Sequence, residues 1–210
     1  MELIRAENVV KQQGSRFTLG PVDLELRSGE VLGILGKPGA GKTTLLKLIW
    51  GFLRPDEGSV TVFHLKPHLN QLSVRQRTGY LPESPSFDRC RTARQYVQFV
   101  SQFYEGWNEA TVLTLLDRFG IDPGICVQDL SDTEKVKLAV ISATGHNPFL
   151  LLLDDPMARL ETRARMEISE FLKTLSSERG LGVLVSAQHS TDLLQWTQST
   201  LTLIDGRIHA

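Results

Sequence analysis

The sequence is poor in cysteine. It has two in 210 residues, Cys90 and Cys126, too few for a disulfide framework or a thiolate metal site. It also lacks long apolar stretches: the longest uninterrupted runs, such as 149–153, are about five residues, against about 20 for a helix that crosses a bilayer. No charge of one sign dominates, since 23 Lys and Arg face 24 Asp and Glu for a formal net charge of −1. That balance excludes a broad basic face for nucleic acid or anionic lipid, and it excludes an acidic tail. No export signal is visible, because Met1-Glu2-Leu3-Ile4-Arg5-Ala6-Glu7 places charges where a secretory leader needs an apolar core. Repeats, low-complexity tracts and like-charged linkers are missing too. What remains is 41% hydrophobic and 22% charged, an ordinary globular composition expected to form one unit over 1–210 in the cytoplasm.

The pattern changes along the chain. Phe17-Thr18-Leu19 and the alternating residues 22–26 predict antiparallel strands, and Val31-Leu32-Gly33-Ile34-Leu35 reads as a strand buried on both faces. A helical period takes over between 91 and 143. Ala93, Tyr96, Val97, Val100, Phe103 and Tyr104 recur at i, i+3, i+4 spacing, followed by Val112, Leu115, Leu116 and Phe119, then by Val136, Ala139, Val140 and Ala143. Asn108 and Ser131 are N-cap candidates. Strand signals return at 149–153, 182–185 and 201–204, with an amphipathic helix carrying Ile168, Phe171, Leu172 and Leu175 between the first two. This alternation predicts a parallel α/β sheet, its core drawn from about 1–80 and 144–210 and a helical insertion occupying about 81–143. His64 and His68 are four apart, but Pro67 between them opposes the helix that a zinc pair at this spacing needs.

The most informative segment is Gly36-Lys37-Pro38-Gly39-Ala40-Gly41-Lys42-Thr43, which matches G-x-x-x-x-G-K-[ST] directly after a buried strand and directly before an amphipathic run at 44–49. Glycines such as Gly36, Gly39 and Gly41 let the backbone curl so that successive N–H groups, those of Ala40 and Thr44 included, point at phosphate oxygens. The following helix adds the partial positive charge of its N-terminus. In such a loop Lys42 bridges the β- and γ-phosphates and the Thr43 hydroxyl ligates Mg²⁺, whereas Pro38 has no N–H to offer. The run Phe149-Leu150-Leu151-Leu152-Leu153-Asp154-Asp155 supplies the second half of such a site, an apolar strand ending in a carboxylate, Asp154, that positions the metal. A magnesium–nucleotide complex is the expected ligand.

The order of these features resembles the nucleotide-binding subunit of ATP-binding cassette transporters over nearly the whole chain. Tyr80-Leu81-Pro82-Glu83 resembles the family's glutamine-bearing loop. Leu130-Ser131-Asp132-Thr133-Glu134 stands where the signature belongs, Met157-Ala158-Arg159-Leu160-Glu161 where the D-loop belongs, and Ser186-Ala187-Gln188-His189 where the switch belongs. Phe103-Tyr104, Trp107 and the run 115–123 look most like bacterial subunits that drive ABC-2-type exporters. The resemblance implies an α/β fold: a RecA-like P-loop NTPase core with an antiparallel β subdomain and an inserted α-helical subdomain.

Set against the family pattern, several positions depart. Glu83 replaces the glutamine, and a carboxylate there still coordinates Mg²⁺. Asp155 stands for the glutamate that polarises the attacking water and is shorter by one methylene, which weakens general-base catalysis requiring heavy atoms within about 2.6–3.2 Å. Gln188 takes the switch histidine's position, and His189 falls one residue late. A Gln amide can donate to a γ-phosphate but carries no charge. Asp132 and Thr133 replace both signature glycines, and the carboxylate repels a partner's phosphate. The same segment, Ser131-x-x-Glu134, is also a capping box. Gln13 stands near the aromatic that stacks on adenine, with Phe17 as a substitute. Arg159 and Glu161 replace the Gly and Asp usual in the D-loop.

The resemblance therefore implies an ATP-binding subunit with ATP and Mg²⁺ as cofactors and slow hydrolysis. It acts beside a separate transmembrane permease subunit and a second nucleotide-binding subunit, identical or related, peripheral on the inner face of the cell membrane and without nucleic acid. Lys42 and Thr43 bind phosphate and metal, Glu83 and Asp154 complete the metal site, Asp155 activates water and Gln188 senses the γ-phosphate. The alternative is a non-catalytic partner that binds ATP and completes a heterodimer with a conventional ATPase.

Overall fold

A strand that is apolar at almost every position has to be covered on both faces, and three such strands form the centre of the larger sheet. The computed structural model describes residues 1–14, 17–87, 91–158, 160–193 and 196–209; Cys90 and Arg159 lie outside these residues. β3 (Val31–Leu35), β6 (Leu150–Leu153) and β7 (Gly182–Ala187) are buried along almost their whole length. Around them stand β5 (Thr78–Leu81), β8 (Ser199–Ile204) and the antiparallel edge strand β9 (Arg207–His209), in the order β5-β6-β7-β3-β8-β9. β6 and β7 are parallel with Leu153 opposite Val185, and β7 and β3 with Ala187 opposite Leu35, so all three strands release the chain at one end of the sheet. In open α/β sheets that carboxyl end is where ligands bind.

The strand signals at 17–19 and 22–26 belong to one strand, β2 (Phe17–Arg27), which pairs with β1 (Glu2–Gln13). With β4 (Glu57–Val62) on its other side, β1 is the middle of a three-stranded antiparallel sheet. β1 is illegible in the sequence for a physical reason. Register shifts fall at Glu2/Ile4, Ala6/Val9 and Val9/Lys11, and each such irregularity breaks the period of two. Leu3, Ile4, Ala6 and Val9 are therefore all buried without alternating.

The helices are α1 (Lys42–Ile49), α2 (Gln71–Arg75), α3 (Ala93–Ser101), α4 (Glu109–Arg118), α5 (Asp132–Thr144) and α6 (Thr162–Arg179), among the described residues. Asn108 caps α4 by accepting from the Thr111 N–H at 2.9 Å. Ser131 and Glu134 form the full capping box of α5: the Ser131 hydroxyl accepts from the Glu134 N–H at 3.2 Å, and the Glu134 carboxylate accepts from the Ser131 N–H at 2.8 Å. α6 ends at Gly180, whose left-handed φ of 69° closes the last turn. Two element boundaries need correction. α3 stops at Ser101, so Phe103 and Tyr104 lie beyond the helix, and Phe149, 52% exposed, precedes β6 instead of opening it. α3, α4 and α5 lie between β5 and β6 in the chain and share one apolar core with α6 and a face of the sheet, where Phe119 meets Phe171 edge-on at 5.4 Å. Enclosure explains why the last half of α5, Leu138 to Thr144, is buried all round, where an amphipathic stripe is expected from the sequence.

His146, at the turn between α5 and β6, is only 4% exposed and stacks on Tyr104 with centroids 3.9 Å apart. Neither ring nitrogen has a well-formed hydrogen bond. Burial pushes its pKa down to about 4, and the weak opposing pull of the Thr78 backbone does not offset this. The folded pKa lies below the unfolded one, so this contribution to stability is complete above about pH 6.5 and is lost as the pH falls from there towards 4. The full span amounts to about 3 kcal/mol. Urea unfolding at pH 7 and pH 5 checks it: His146→Phe, which keeps the stack, should flatten that part of the pH dependence.

Candidate functional site

The loop after β3 folds by its own backbone needs. Gly41 is left-handed at φ 107°, and a Cβ there would come within 2.9 Å of the Phe17 ring. At Gly36 a Cβ would come within 2.6 Å of the Leu203 carbonyl oxygen. Inside the loop the Ala40 N–H donates to the Lys37 carbonyl at 3.1 Å and the Gly36 N–H to the Ala187 carbonyl at 3.1 Å, tying the loop to the end of β7. Lys42, the first residue of α1, is 7% exposed and folds back to donate to the Gly36 carbonyl at 2.5 Å and the Lys37 carbonyl at 3.2 Å. Burial holds its pKa below the usual lysine value, and the charges of Asp155, Asp154 and Glu83 push it partly back up. An ammonium with only carbonyl partners, facing three carboxylates, is suited to an anion brought in between them.

On the opposite wall β6 delivers Asp154 and Asp155, 2% and 5% exposed. Ser186 of β7 joins them: its hydroxyl donates to Asp154 Oδ1 at 2.8 Å and accepts from the Asp155 N–H at 3.0 Å. Gln188 Nε2 donates to Asp155 Oδ2 at 2.7 Å, while Asp155 Oδ1 is buried without a hydrogen-bond partner. Asp155 has a left-handed φ of 47°. Burial raises its pKa, opposed by the Gln188 bond and Lys42 and assisted by Glu83 and Asp192. A carboxylate whose pKa burial has raised is a better proton acceptor than a solvated one.

These walls enclose a cavity of about 450 Å³, within the range that takes a small ligand. Gly39, Gly41, Lys42, Thr43, Thr44, Glu83, Asp154, Asp155 and Gln188 all line it, joined by Gln13, Phe17 and Pro38. Gly36 and Ala40 stand outside the lining, their N–H groups already engaged within the fold. His189 is exposed and does not line it either. Ser131 does not reach this cavity, and its hydroxyl also donates to Glu134 at 2.6 Å, so the capping box uses it as both donor and acceptor. Sequence reading misses Ser186; its only trace is a hydroxyl inside an otherwise apolar run, and it is fully buried.

Among the described residues no group of three or more His, Cys, Asp or Glu side chains closes a metal shell by itself. Mg²⁺ does not require such a shell, since it keeps several waters and is held by one or two carboxylates plus substrate phosphates. The hydroxyl of Thr43 and the carboxylates of Asp154 and Glu83, which all line the cavity, are hard oxygen donors of the kind such an ion takes.

A family model described as ABC transporter matches residues 19–158. The bacitracin transport ATP-binding protein BcrA of Enterococcus faecalis is 29% identical over 195 residues, which cover 92% of this chain and 63% of that protein, so the chain spans less than two thirds of this relative. A solved ATP-binding subunit of an ABC transporter superposes with a TM-score of 0.90 at 23% identity, covering 99% of this chain and 88% of that one. The dimeric structure of a bacterial ABC transporter cassette does so with a TM-score of 0.87 at 23% identity, covering 99% and 97%. These two likenesses show that the chain has the fold of such cassettes, an α/β fold with an antiparallel sheet and helices between β5 and β6. Since the matched stretch also runs from the strand that floors the phosphate loop to just past the paired aspartates, the chain belongs to the ABC transporter family, as one of its ATP-binding cassettes.

Proposed function

We propose that this cassette is the ATP-binding subunit of an ABC transporter and that its cavity takes the triphosphate of ATP with Mg²⁺. The observation that carries the reading is the convergence on one cavity of Lys42 and Thr43 from the phosphate loop, Asp154 and Asp155 from the end of β6, Glu83 from the loop after β5 and Gln188 from the end of β7. In this reading the backbone N–H groups of the loop, shaped by Gly36 and Ala40, face the phosphates, and Lys42 leaves the Gly36 and Lys37 carbonyls to meet them. Thr43, Asp154 and Glu83 hold Mg²⁺, which neutralises charge on the phosphate oxygens when bound. Asp155 takes the proton of the attacking water, and Gln188 donates to the γ-phosphate. Turnover is slow, because Asp155 has the shorter of the two acidic side chains. In this reading the cassette is peripheral on the inner face of the cell membrane, beside a separate transmembrane permease subunit that carries the pathway; among the described residues no helix is long and apolar enough to cross a membrane. A second cassette completes the ATPase there.

A second reading, a cassette that binds ATP without turning it over beside a conventional partner, is favoured by the Ser131 hydroxyl being consumed in its own capping box. Mg²⁺-dependent phosphate release by the purified chain separates the two. Release that Lys42→Ala abolishes supports hydrolysis; ATP binding without release leaves the second reading standing; no ATP binding at all overturns both.

A further inference from the structure

Asp155 and Gln188 lie on loops that leave different strands, and the 2.7 Å bond between them holds only while those loops keep their separation. One side chain spans both. Arg165, in the first turns of α6, donates through Nη1 to the carboxylate of Asp192, in the 3₁₀ turn Ser190–Asp192 just past Gln188. Through Nη2 it donates to the Met157 and Leu160 carbonyls at 3.3 and 3.2 Å, in the segment just past Asp155. Each anchor is itself fixed. Met157, Leu160 and Asp192 are 1%, 5% and 4% exposed. The Asp192 N–H donates to the His189 carbonyl at 3.1 Å, and its own carbonyl accepts from Trp196 Nε1 at 2.9 Å. A buried carboxylate is costly unless paired, and Arg165 is the partner that lets Asp192 sit there. Arg165 does not line the nucleotide cavity, so any effect it has on the chemistry passes through other residues.

We propose that Arg165 is a positioning residue: by bridging Asp192 to the Met157 and Leu160 carbonyls it holds the two loops at the separation that pairs Asp155 with Gln188, and so sets the rate of the chemical step. The pairing is a claim about this chain's own geometry; its effect on rate rests on the hydrolytic reading of the cavity. The planar guanidinium is what makes the bridge possible, since three acceptors on two loops lie within reach of its fork, whereas the ammonium of lysine is a compact point charge on a flexible stem. Displacement of a reacting group by about 1 Å can cost about 100-fold in rate. Lys42 and Thr43 stand on α1, outside the bridged loops, so the larger part of the nucleotide's contacts should be untouched and KM should change little.

The test compares wild type, Arg165→Lys and Asp192→Asn by steady-state ATP hydrolysis, thermal melting and the side-chain amide signal of Gln188 in ¹H–¹⁵N spectra, with Asp155→Ala marking where that signal lies when the pair is broken. In Arg165→Lys the Gln188 signal is expected to move to its Asp155→Ala position, with kcat reduced about 10–100-fold and KM within about twofold of wild type. Asp192→Asn should shift both readouts the same way, and the double variant should be no worse than Arg165→Lys alone, as for two partners in one contact. A Gln188 signal unmoved in Arg165→Lys overturns the proposal. So does a fall in kcat matched by a rise in KM and a lower melting temperature, the signature of a merely structural role. A wild-type chain that hydrolyses no ATP would sink the hydrolytic reading instead, and the Gln188 signal would still decide whether Arg165 sets the pair.

Discussion

Lys42→Ala is expected to weaken ATP binding by about 100-fold or more, because a charge-assisted contact to phosphate is worth about 1.5–3 kcal/mol and in the proposed complex this ammonium meets two phosphates. The fold should survive the change. In the free protein Lys42 is a buried ammonium whose charge burial disfavours, and its side-chain bonds are to two carbonyls of its own loop. Removing it relieves a desolvation cost while leaving those carbonyls without one donor, two effects of opposite sign. Melting with and without Mg–ATP separates affinity from stability: the nucleotide-free transition should stay within a few degrees of wild type, and the upward shift that ATP produces should vanish. A variant that melts far below wild type without nucleotide would mean that Lys42 is structural. Retained ATP affinity would mean that the phosphates lie elsewhere.

Asp155→Asn is expected to lower the single-turnover rate of phosphate release by about 100-fold or more, the usual worth of a positioned general base. The substitution keeps shape and can keep the contact, since an Asn oxygen accepts from Gln188 Nε2 as the carboxylate does at 2.7 Å. It also removes a charge that burial disfavours, so stability should hold or rise, and ATP affinity should hold or rise as a negative charge leaves the phosphate site. Loss of rate without loss of affinity is thus the diagnostic combination. Asp155→Glu tests reach directly. Lengthening the side chain by one methylene should raise the rate if distance limits it, and an unchanged or lower rate would show that reach is not what limits Asp155.

The phosphate loop is legible because its requirements are local. Gly41 needs a left-handed backbone, and the strand before it and helix after it are contiguous with it, so eight successive letters announce the loop, although its close contacts with Phe17, Ala187 and Leu203 come from far along the chain. Asp154 is legible for the same reason, as the residue that ends an apolar strand. Counting from β7 also separates Gln188, which lines the cavity, from His189, which does not. The capping box of α5 can be read from two letters, because both of its hydrogen bonds close within four residues. The end of α3 could not be read, since Phe103 and Tyr104 continue its spacing. Tyr104 instead stacks on His146, 42 positions further along the chain.

The sequence by itself determined that this chain has a phosphate loop, a parallel sheet and a carboxylate strand, because each is specified by neighbouring residues whose backbone preferences and burial act over a few positions. Tertiary structure alone decided which side chains meet across the sheet. Ser186 lies between Asp154 and Asp155, Gln188 is bonded to Asp155, and Arg165 reaches Asp192, over separations of 27 to 33 residues. Those meetings follow from β6 and β7 being neighbours in the sheet, and alternation of apolar and polar residues says which face a side chain takes but not which strand stands beside it. The bulged strand β1 makes the same point from the other direction: only its partners β2 and β4 reveal it, because irregular pairing erased the period that would have announced it.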